Sequence, residues 1–500
     1  MRFRPLAPLL CALPLLGTAA QADSLDDSGP PQKRPDPVAS SEAERGEVPR
    51  APVAEGEREP PGALPPLRDS DTGFSFGSYG RVGAGLDGGG HEGYPVNVVA
   101  HGSRLEEAPY LELYFSYTGR LKSGPRWRVV ITPAFQGDLF HYSGDFSTQF
   151  ALRNAYVEAD DLGVDGLRLW VGSRMYRGDD VYLLDWWPLD NLNTVGGGAG
   201  LRRGRWDAAV QVGLNRLNDG FTYDQVPVPA RGLGPPGTAL ALDRPRAVAS
   251  FKLTCDLGTP GAPAGGKASI YAEFHGMGDG DRPYVEGSGS QHLPADYGWV
   301  AGAQLGGRLS PFTFANLFLR AAGGLAAYGE LTAPNSTDAS GRTLPARDVQ
   351  LVLSLNWESR WIGIMGGGYV RQFTDASGGQ YNPRDYVEGI GIVRPHLYLN
   401  RWFTLAAELS YQGRQYGGFD PLLNRQLVPQ VFRASLMPIV NPLGPGTYSR
   451  PQIYLLATVS RLNQDARDAL FDPTDIRYGA ATALYFGIGA EWWFQNLVSL

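Results

Sequence analysis

An all-β fold, a closed eighteen-stranded antiparallel barrel that spans a membrane, is what this sequence predicts, and three observations predict it. Between residues 74 and 494, eighteen segments of about ten residues alternate in polarity, the length a tilted strand needs to cross a bilayer. The gaps between them are alternately long and short. The long gaps (86–107, 137–149, 176–196, 216–245, 277–296, 326–346, 374–383, 413–428 and 461–482) are rich in Gly, Asp and Pro. That rhythm is expected of short periplasmic turns and long external loops. Finally, 66 glycines and 11% aromatic residues suit hairpins and interfacial girdles better than helical packing.

From the start of the chain, residues 1–22 read as an export signal. Arg2 and Arg4 precede the apolar run Leu6 to Leu16, and Ala20-Gln21-Ala22 forms a small-residue cleavage site. Cys11 falls within that run, so the mature chain is expected to keep Cys255 alone and to form no internal disulfide. Removing Arg2 and Arg4 takes the net charge from −7 to −9, which disfavours nucleic acid as a partner because phosphate binding needs a concentrated positive face. Residues 23–73 read as a disordered Pro-rich periplasmic leader. Pro30, Pro31, Pro35, Pro37, Pro49, Pro52, Pro60, Pro61, Pro65 and Pro66 lie among interspersed charges, with too little apolar surface to offset the entropy of ordering.

The barrel is expected over 74–494. In 110–118, Leu111, Leu113, Phe115 and Tyr117 face one way, and Tyr110, Glu112, Tyr114, Ser116 and Thr118 the other. In 167–174 Leu167, Leu169 and Val171 alternate with Arg168, Trp170, Gly172 and Arg174. In 452–460 Ile453, Leu455, Ala457 and Val459 alternate with Gln452, Tyr454, Thr458 and Ser460. The apolar set is expected to meet lipid and the mixed set the lumen. Segment 150–160 does not alternate cleanly, and 361–373 is rich in glycine. In the last strand Leu484, Phe486, Ile488, Ala490, Trp492 and Phe494 share the lipid face, opposite Tyr485, Gly487, Gly489, Glu491 and Trp493; residues 495–500 read as a short extension. Closure follows from backbone chemistry, since a sheet in hydrocarbon cannot leave an edge unpaired. Eighteen strands enclose an aqueous channel.

The densest chemistry lies in the third long gap. Arg174, Arg177, Asp179, Asp180, Asp185 and Asp190 occur there with Tyr176, Tyr182, Trp186 and Trp187. Folded into a wide lumen, these residues make a constriction with both charge signs and flat apolar faces. The run Gly196-Gly197-Gly198-Ala199-Gly200 is expected to let the chain turn back into the next strand. Such a set suits a sugar: an aromatic plane covers the apolar face of a pyranose, while Arg and Asp or Glu meet its hydroxyl rim.

The chain resembles the maltoporin (carbohydrate porin) family over nearly all of 74–494. The matching pieces are Gly77-Ser78-Tyr79-Gly80-Arg81, Arg104-Leu105, Tyr110-Leu111-Glu112-Leu113, Arg153-Asn154-Ala155-Tyr156-Val157, Tyr176 to Gly200, Ser449-Arg450-Pro451, and Phe486-Gly487 through Glu491-Trp492-Trp493. The resemblance implies an eighteen-stranded homotrimeric barrel of the outer membrane with its third loop folded inward. It implies that Tyr79, Tyr110 and Trp493 belong to an aromatic slide. Arg81, Arg104, Glu112, Arg153, Arg177, Asp180 and Asp185 would form the polar track, and Trp187 would stand at the narrowest point. There are departures. The family's mid-chain slide phenylalanine falls at Ala301, beside Trp299, and a later slide tryptophan falls near Tyr386 or Gly389. Phe146 or Tyr142 would stand in for the tryptophan given across the subunit boundary.

Gly83-Ala84-Gly85-Leu86-Asp87-Gly88 fits a dinucleotide fingerprint, but no helix is expected after it. Gly73-Phe74-Ser75-Phe76-Gly77 fits a nucleophile elbow without the strand-to-helix turn. The six histidines lack metal-ligand spacing, so no metal and no cofactor are assigned. The sequence thus reads as a non-enzymatic outer-membrane channel for sugars or oligosaccharides, bathed in lipid; a general diffusion porin is the alternative.

Overall fold

The computed structural model describes residues 72–122, 124–228, 237–259, 264–283, 289–379 and 381–498. The export signal and nearly all of the Pro-rich leader lie outside the described residues. Strands follow in the order β1 (Gly73–Leu86), β2 (Tyr110–Arg120), β3 (Arg126–Gln136), β4 (Gln149–Asp160), β5 (Leu167–Arg177), β6 (Asn191–Arg203) and β7 (Trp206–Asn215). Next come β8 (Tyr223–Val228), β9 (Gly237–Asp243), β10 (Arg246–Asp256), β11 (Gly265–Met277), β12 (Gly280–Pro283), β13 (Ser290–Leu293), β14 (Asp296–Ser310) and β15 (Thr313–Gly324). The chain continues through β16 (Arg347–Glu358), β17 (Ile362–Thr374), β18 (Tyr386–Tyr398), β19 (Phe403–Tyr416), β20 (Gln430–Val440), β21 (Gln452–Leu462) and β22 (Thr482–Val498).

Eighteen of these form one antiparallel sheet, each strand beside its neighbour in the chain, with the pairs β8–β9 and β12–β13 standing apart as separate hairpins. The sheet closes where β1 meets β22, from Phe74 opposite Val498 to Leu86 opposite Phe486. Every strand of the wall therefore has two partners, which satisfies its backbone polar groups inside hydrocarbon.

The two-residue period separates the faces. Along β21, Ile453, Leu455 and Val459 are exposed outward, while Gln452, Thr458 and Ser460 are buried inside. Along β7, Val210, Val212 and Leu214 are exposed and Gln211 is buried. Apolar side chains left outside and polar ones enclosed invert the order of a water-soluble protein, as a lipid solvent requires.

Two features differ from the sequence reading, and a third accounts for one part of it. Strand β22 runs on to Val498, so Gln495–Val498 pairs with the start of β1 as part of the wall rather than forming an extension. The run Gly196–Gly200 lies within β6, not in a turn; a Cβ at Gly198 would sit 2.1 Å from the ring of Trp170, so the missing side chain clears space for that indole. In β4 the register with β3 jumps at Thr132/Pro133, where Thr132 faces Asn154 and Pro133 faces Leu152, leaving Arg153 as a bulge. A one-residue bulge exchanges the two faces. Phe150 and Leu152 point outward before it; after it Asn154, Tyr156 and Glu158 point inward. That exchange is why 150–160 shows no clean alternation.

The hairpins β8–β9 and β12–β13 rise from the fourth and fifth long loops. Buried Arg244 ties those loops together by donating to the carbonyls of Phe221 (3.0 Å), Gly278 (2.8 Å) and Pro294 (2.7 Å).

Candidate functional site

Two long loops pack against inward-facing wall residues. In the first, Val98 N donates to Gln412 Oε1 at 3.0 Å, His101 N to the Tyr369 hydroxyl at 3.0 Å, and Ser103 Oγ to Glu408 at 2.5 Å, which fastens it to β17 and β19. In the third, Tyr182–Leu184 form a single 3-10 turn, and Asp185 follows in the left-handed region at φ 48°, which Asp tolerates better than most residues. Val181, Leu183, Leu184, Trp186 and Leu189 are all buried. The wall makes room for them with glycine. A Cβ at Gly367 on β17 would lie 2.7 Å from Val181, and one at Gly302 on β14 would lie 2.5 Å from Leu189. Asp179 binds Lys267 of β11 at 2.6 Å and Asp190 binds Lys252 of β10 at 2.5 Å. Trp186 stacks on His101 of the first loop, with ring centres 4.2 Å apart and 10° between planes.

Against this scaffold most of the sequence-selected residues converge. Tyr79 and Arg81 of β1 lie opposite Glu112 and Tyr110 of β2, in register. The Tyr79 and Tyr110 rings are 5.9 Å apart, and the Arg81 guanidinium lies 5.3 Å over the Tyr110 ring. Arg81 donates to the Tyr79 hydroxyl at 3.1 Å and to Asp185 at 3.3 Å. Arg104 donates to the same hydroxyl at 2.6 Å and to Glu491 at 3.0 Å. The bulge delivers Arg153 to Glu112 at 2.6 Å and to the Tyr110 hydroxyl. Aromatic faces and fixed donors and acceptors thus alternate within one strip.

Trp493 joins the strip through Glu491, two residues before it on the same inward face. The Arg450 guanidinium lies 4.3 Å over the Trp493 ring and donates to Glu491 at 2.8 Å. The Tyr182 hydroxyl donates to the same carboxylate at 2.6 Å. Arg177 and Trp187 form their own pair, with the guanidinium 3.7 Å over the indole. Arg177 is within electrostatic reach of Arg153, Glu112 and Asp185. Asp180 is buried without joining the strip by a hydrogen bond among the described residues.

The two loop carboxylates differ in proton affinity. Burial, with the charges of Asp179 and Asp185 adding to it, pushes Asp180 up to about 7 against the pull of Arg104. Burial also raises Asp185, but Arg104 and Arg81 outweigh it and hold that carboxyl below its usual range.

Sequence reasoning did not select Glu491, Tyr182 or Arg450 for this network. The inward parity of Glu491 with Trp493 and the Ser449-Arg450-Pro451 piece were the signals available. Ala301 and Trp299 both point out of the barrel, while Val300 and Gln304 point in, so residue 301 cannot carry an inward aromatic. Tyr386 lies inside, with Arg414 4.6 Å over its ring. Phe146 and Tyr142 are exposed on the second long loop. Among the described residues no group of His, Cys, Asp and Glu is arranged to hold a metal ion.

The family model described as LamB porin matches residues 74–494. The maltoporin of Vibrio cholerae serotype O1 (strain ATCC 39315 / El Tor Inaba N16961) is 31% identical over 158 residues, 30% of this chain and 37% of that protein. The maltoporin of strain O395 of the same species gives the same identity over 36% of its length, so the match spans little more than a third of these relatives. Among solved structures, Wzi, an outer-membrane protein of Escherichia coli involved in group 1 capsule assembly, covers 86% of this chain and 85% of its own at 12% identity and a TM-score of 0.37. OpdK of Pseudomonas aeruginosa covers 85% of this chain and 99% of its own at 9% identity and a TM-score of 0.40.

Proposed function

The chain belongs to the LamB porin family, an outer-membrane channel family of Gram-negative bacteria and not an enzyme class, and on that premise we propose that it passes sugars by diffusion along the strip built on Tyr79 and Tyr110. The observation that carries this reading is the pair of neighbouring tyrosine rings bracketed by Arg81, Arg104, Arg153 and Glu112 from three strands and the first long loop. A pyranose sliding over the rings exchanges hydroxyl contacts with fixed charges, and each contact is weak enough to release the next ring. Trp493 continues the track, the Arg177–Trp187 pair narrows it, and Asp180 and Asp185 supply negative charge from the third loop, which in this reading folds into the bore. The working form is a homotrimer, with maltodextrin-like oligosaccharides as cargo.

The outward Ala301 favours a second reading, a general diffusion porin, because it shortens the aromatic track. One measurement separates them: single-channel current in planar bilayers with glucose, maltose and longer maltodextrins. Saturable block that tightens with chain length supports the slide. Current independent of sugar at all lengths supports the general porin and rejects the strip as a binding track.

A further inference from the structure

Four of the eleven tryptophans directly follow an arginine: Arg126-Trp127, Arg205-Trp206, Arg360-Trp361 and Arg401-Trp402. All four pairs lie at the short-turn end of the barrel, where β3, β7, β17 and β19 begin. Two of them form one local patch. Tyr398 N donates to the Trp361 carbonyl at 2.9 Å, which sets the 399–402 turn beside the 359–361 turn. Asn400 Oδ1 accepts from the backbone of Trp402 (2.8 Å) and Phe403 (3.0 Å) and holds the second turn in shape.

In each turn the guanidinium lies over its own indole, Arg401 at 3.9 Å and Arg360 at 4.8 Å from the ring centre. Both arginines are exposed, and neither forms an ion pair with an acid among the described residues. The nearest acid in sequence, Glu358, is turned away and engages the backbone N–H and hydroxyl of Thr447, each at 2.5 Å. Trp361 is 60% exposed, and the adjoining wall is apolar and open: Ile362, Leu397, Leu399 and Phe403 all face outward.

We propose that the Arg360–Trp361 and Arg401–Trp402 turns form a binding site for the phosphodiester head of an anionic phospholipid in the periplasm-facing leaflet. The two guanidiniums take the phosphate oxygens, the indoles sit at head-group depth, and an acyl chain lies along Ile362, Leu397 and Phe403. Two stacked arginines with no acid beside them complement a phosphate, whereas the wall next to them complements only hydrocarbon. A phospholipid offers both, and a soluble phosphate only one.

Native mass spectrometry of the full chain in detergent, with phosphatidylglycerol or phosphatidylcholine added, tests the site. The expected result is preferential retention of phosphatidylglycerol, falling about 30-fold in R360Q/R401Q and recovering in R360K/R401K. Inorganic phosphate at equal concentration should not displace the lipid. Equal retention of the two lipids by the wild-type barrel overturns the proposal without any variant. So does unchanged retention in R360Q/R401Q, or loss of a subunit contact in that variant with no change in bound lipid, which would make the patch an interface between copies.

Discussion

Replacing Glu491 with glutamine removes the single negative charge on which two enclosed arginines converge. Arg104 lies 3.0 Å from one carboxylate oxygen and Arg450 2.8 Å from the other, and the Tyr182 hydroxyl adds a third bond at 2.6 Å. The side chains of Glu491, Arg104 and Arg450 are 7%, 6% and 1% exposed, so water compensates little. At such distances each pair is attracted by roughly 5 kcal/mol at an effective dielectric constant of 20. Stranding the partners of an enclosed charge costs about 3–5 kcal/mol, and because the amide keeps an acceptor the low end, about 3 kcal/mol, is expected. Urea unfolding from lipid vesicles, followed by tryptophan fluorescence, measures the loss. Tyr182 anchors the third loop through the same carboxylate, so open-channel current noise should rise in parallel. A stability change below about 1 kcal/mol, the range of solvent-exposed pairs, would refute the reasoning and mean that water reaches the cluster.

Three further outcomes are expected. Trp187→Ala removes the plane under Arg177 and should raise ion conductance while weakening sugar block; if neither moves, the pair stands away from the conduction path. Gly367→Leu puts a side chain where Val181 docks and costs about 1–3 kcal/mol through overpacking; the third loop should shift and conductance rise, and an unchanged conductance would detach that loop from the pore. Burial pushes Asp180 up to about 7, so between about pH 6 and pH 8 the loop gains a negative charge. Cation preference, read as reversal potential across a salt gradient, should grow over that window in the wild type and stay flat in Asp180→Asn. The folded barrel holds this proton to higher pH than the unfolded chain does. Its contribution to stability is therefore present below the ordinary carboxylate pKa and is lost as pH rises to about 7.

Strand count and loop rhythm were legible in the sequence, because lipid outside and water inside impose a two-residue period that the chain cannot hide. Where parity was strict, the face of a residue was legible too: Tyr79 with Arg81 and Tyr110 with Glu112 lie on one strip of the wall, as alternation required. Arg153 was not readable that way, since a bulge breaks the period and only the pairing with β3 reveals it. The hairpins of the fourth and fifth loops, the glycine clearances at Gly302 and Gly367, and the convergence of Arg104, Tyr182 and Arg450 on Glu491 were decided by the tertiary structure alone. The clearances and the Glu491 network join residues far apart along the chain, and the composition of a loop does not state which wall it will meet. Local polarity against two solvents determined the cylinder; which groups the loops bring together was set only by the tertiary fold.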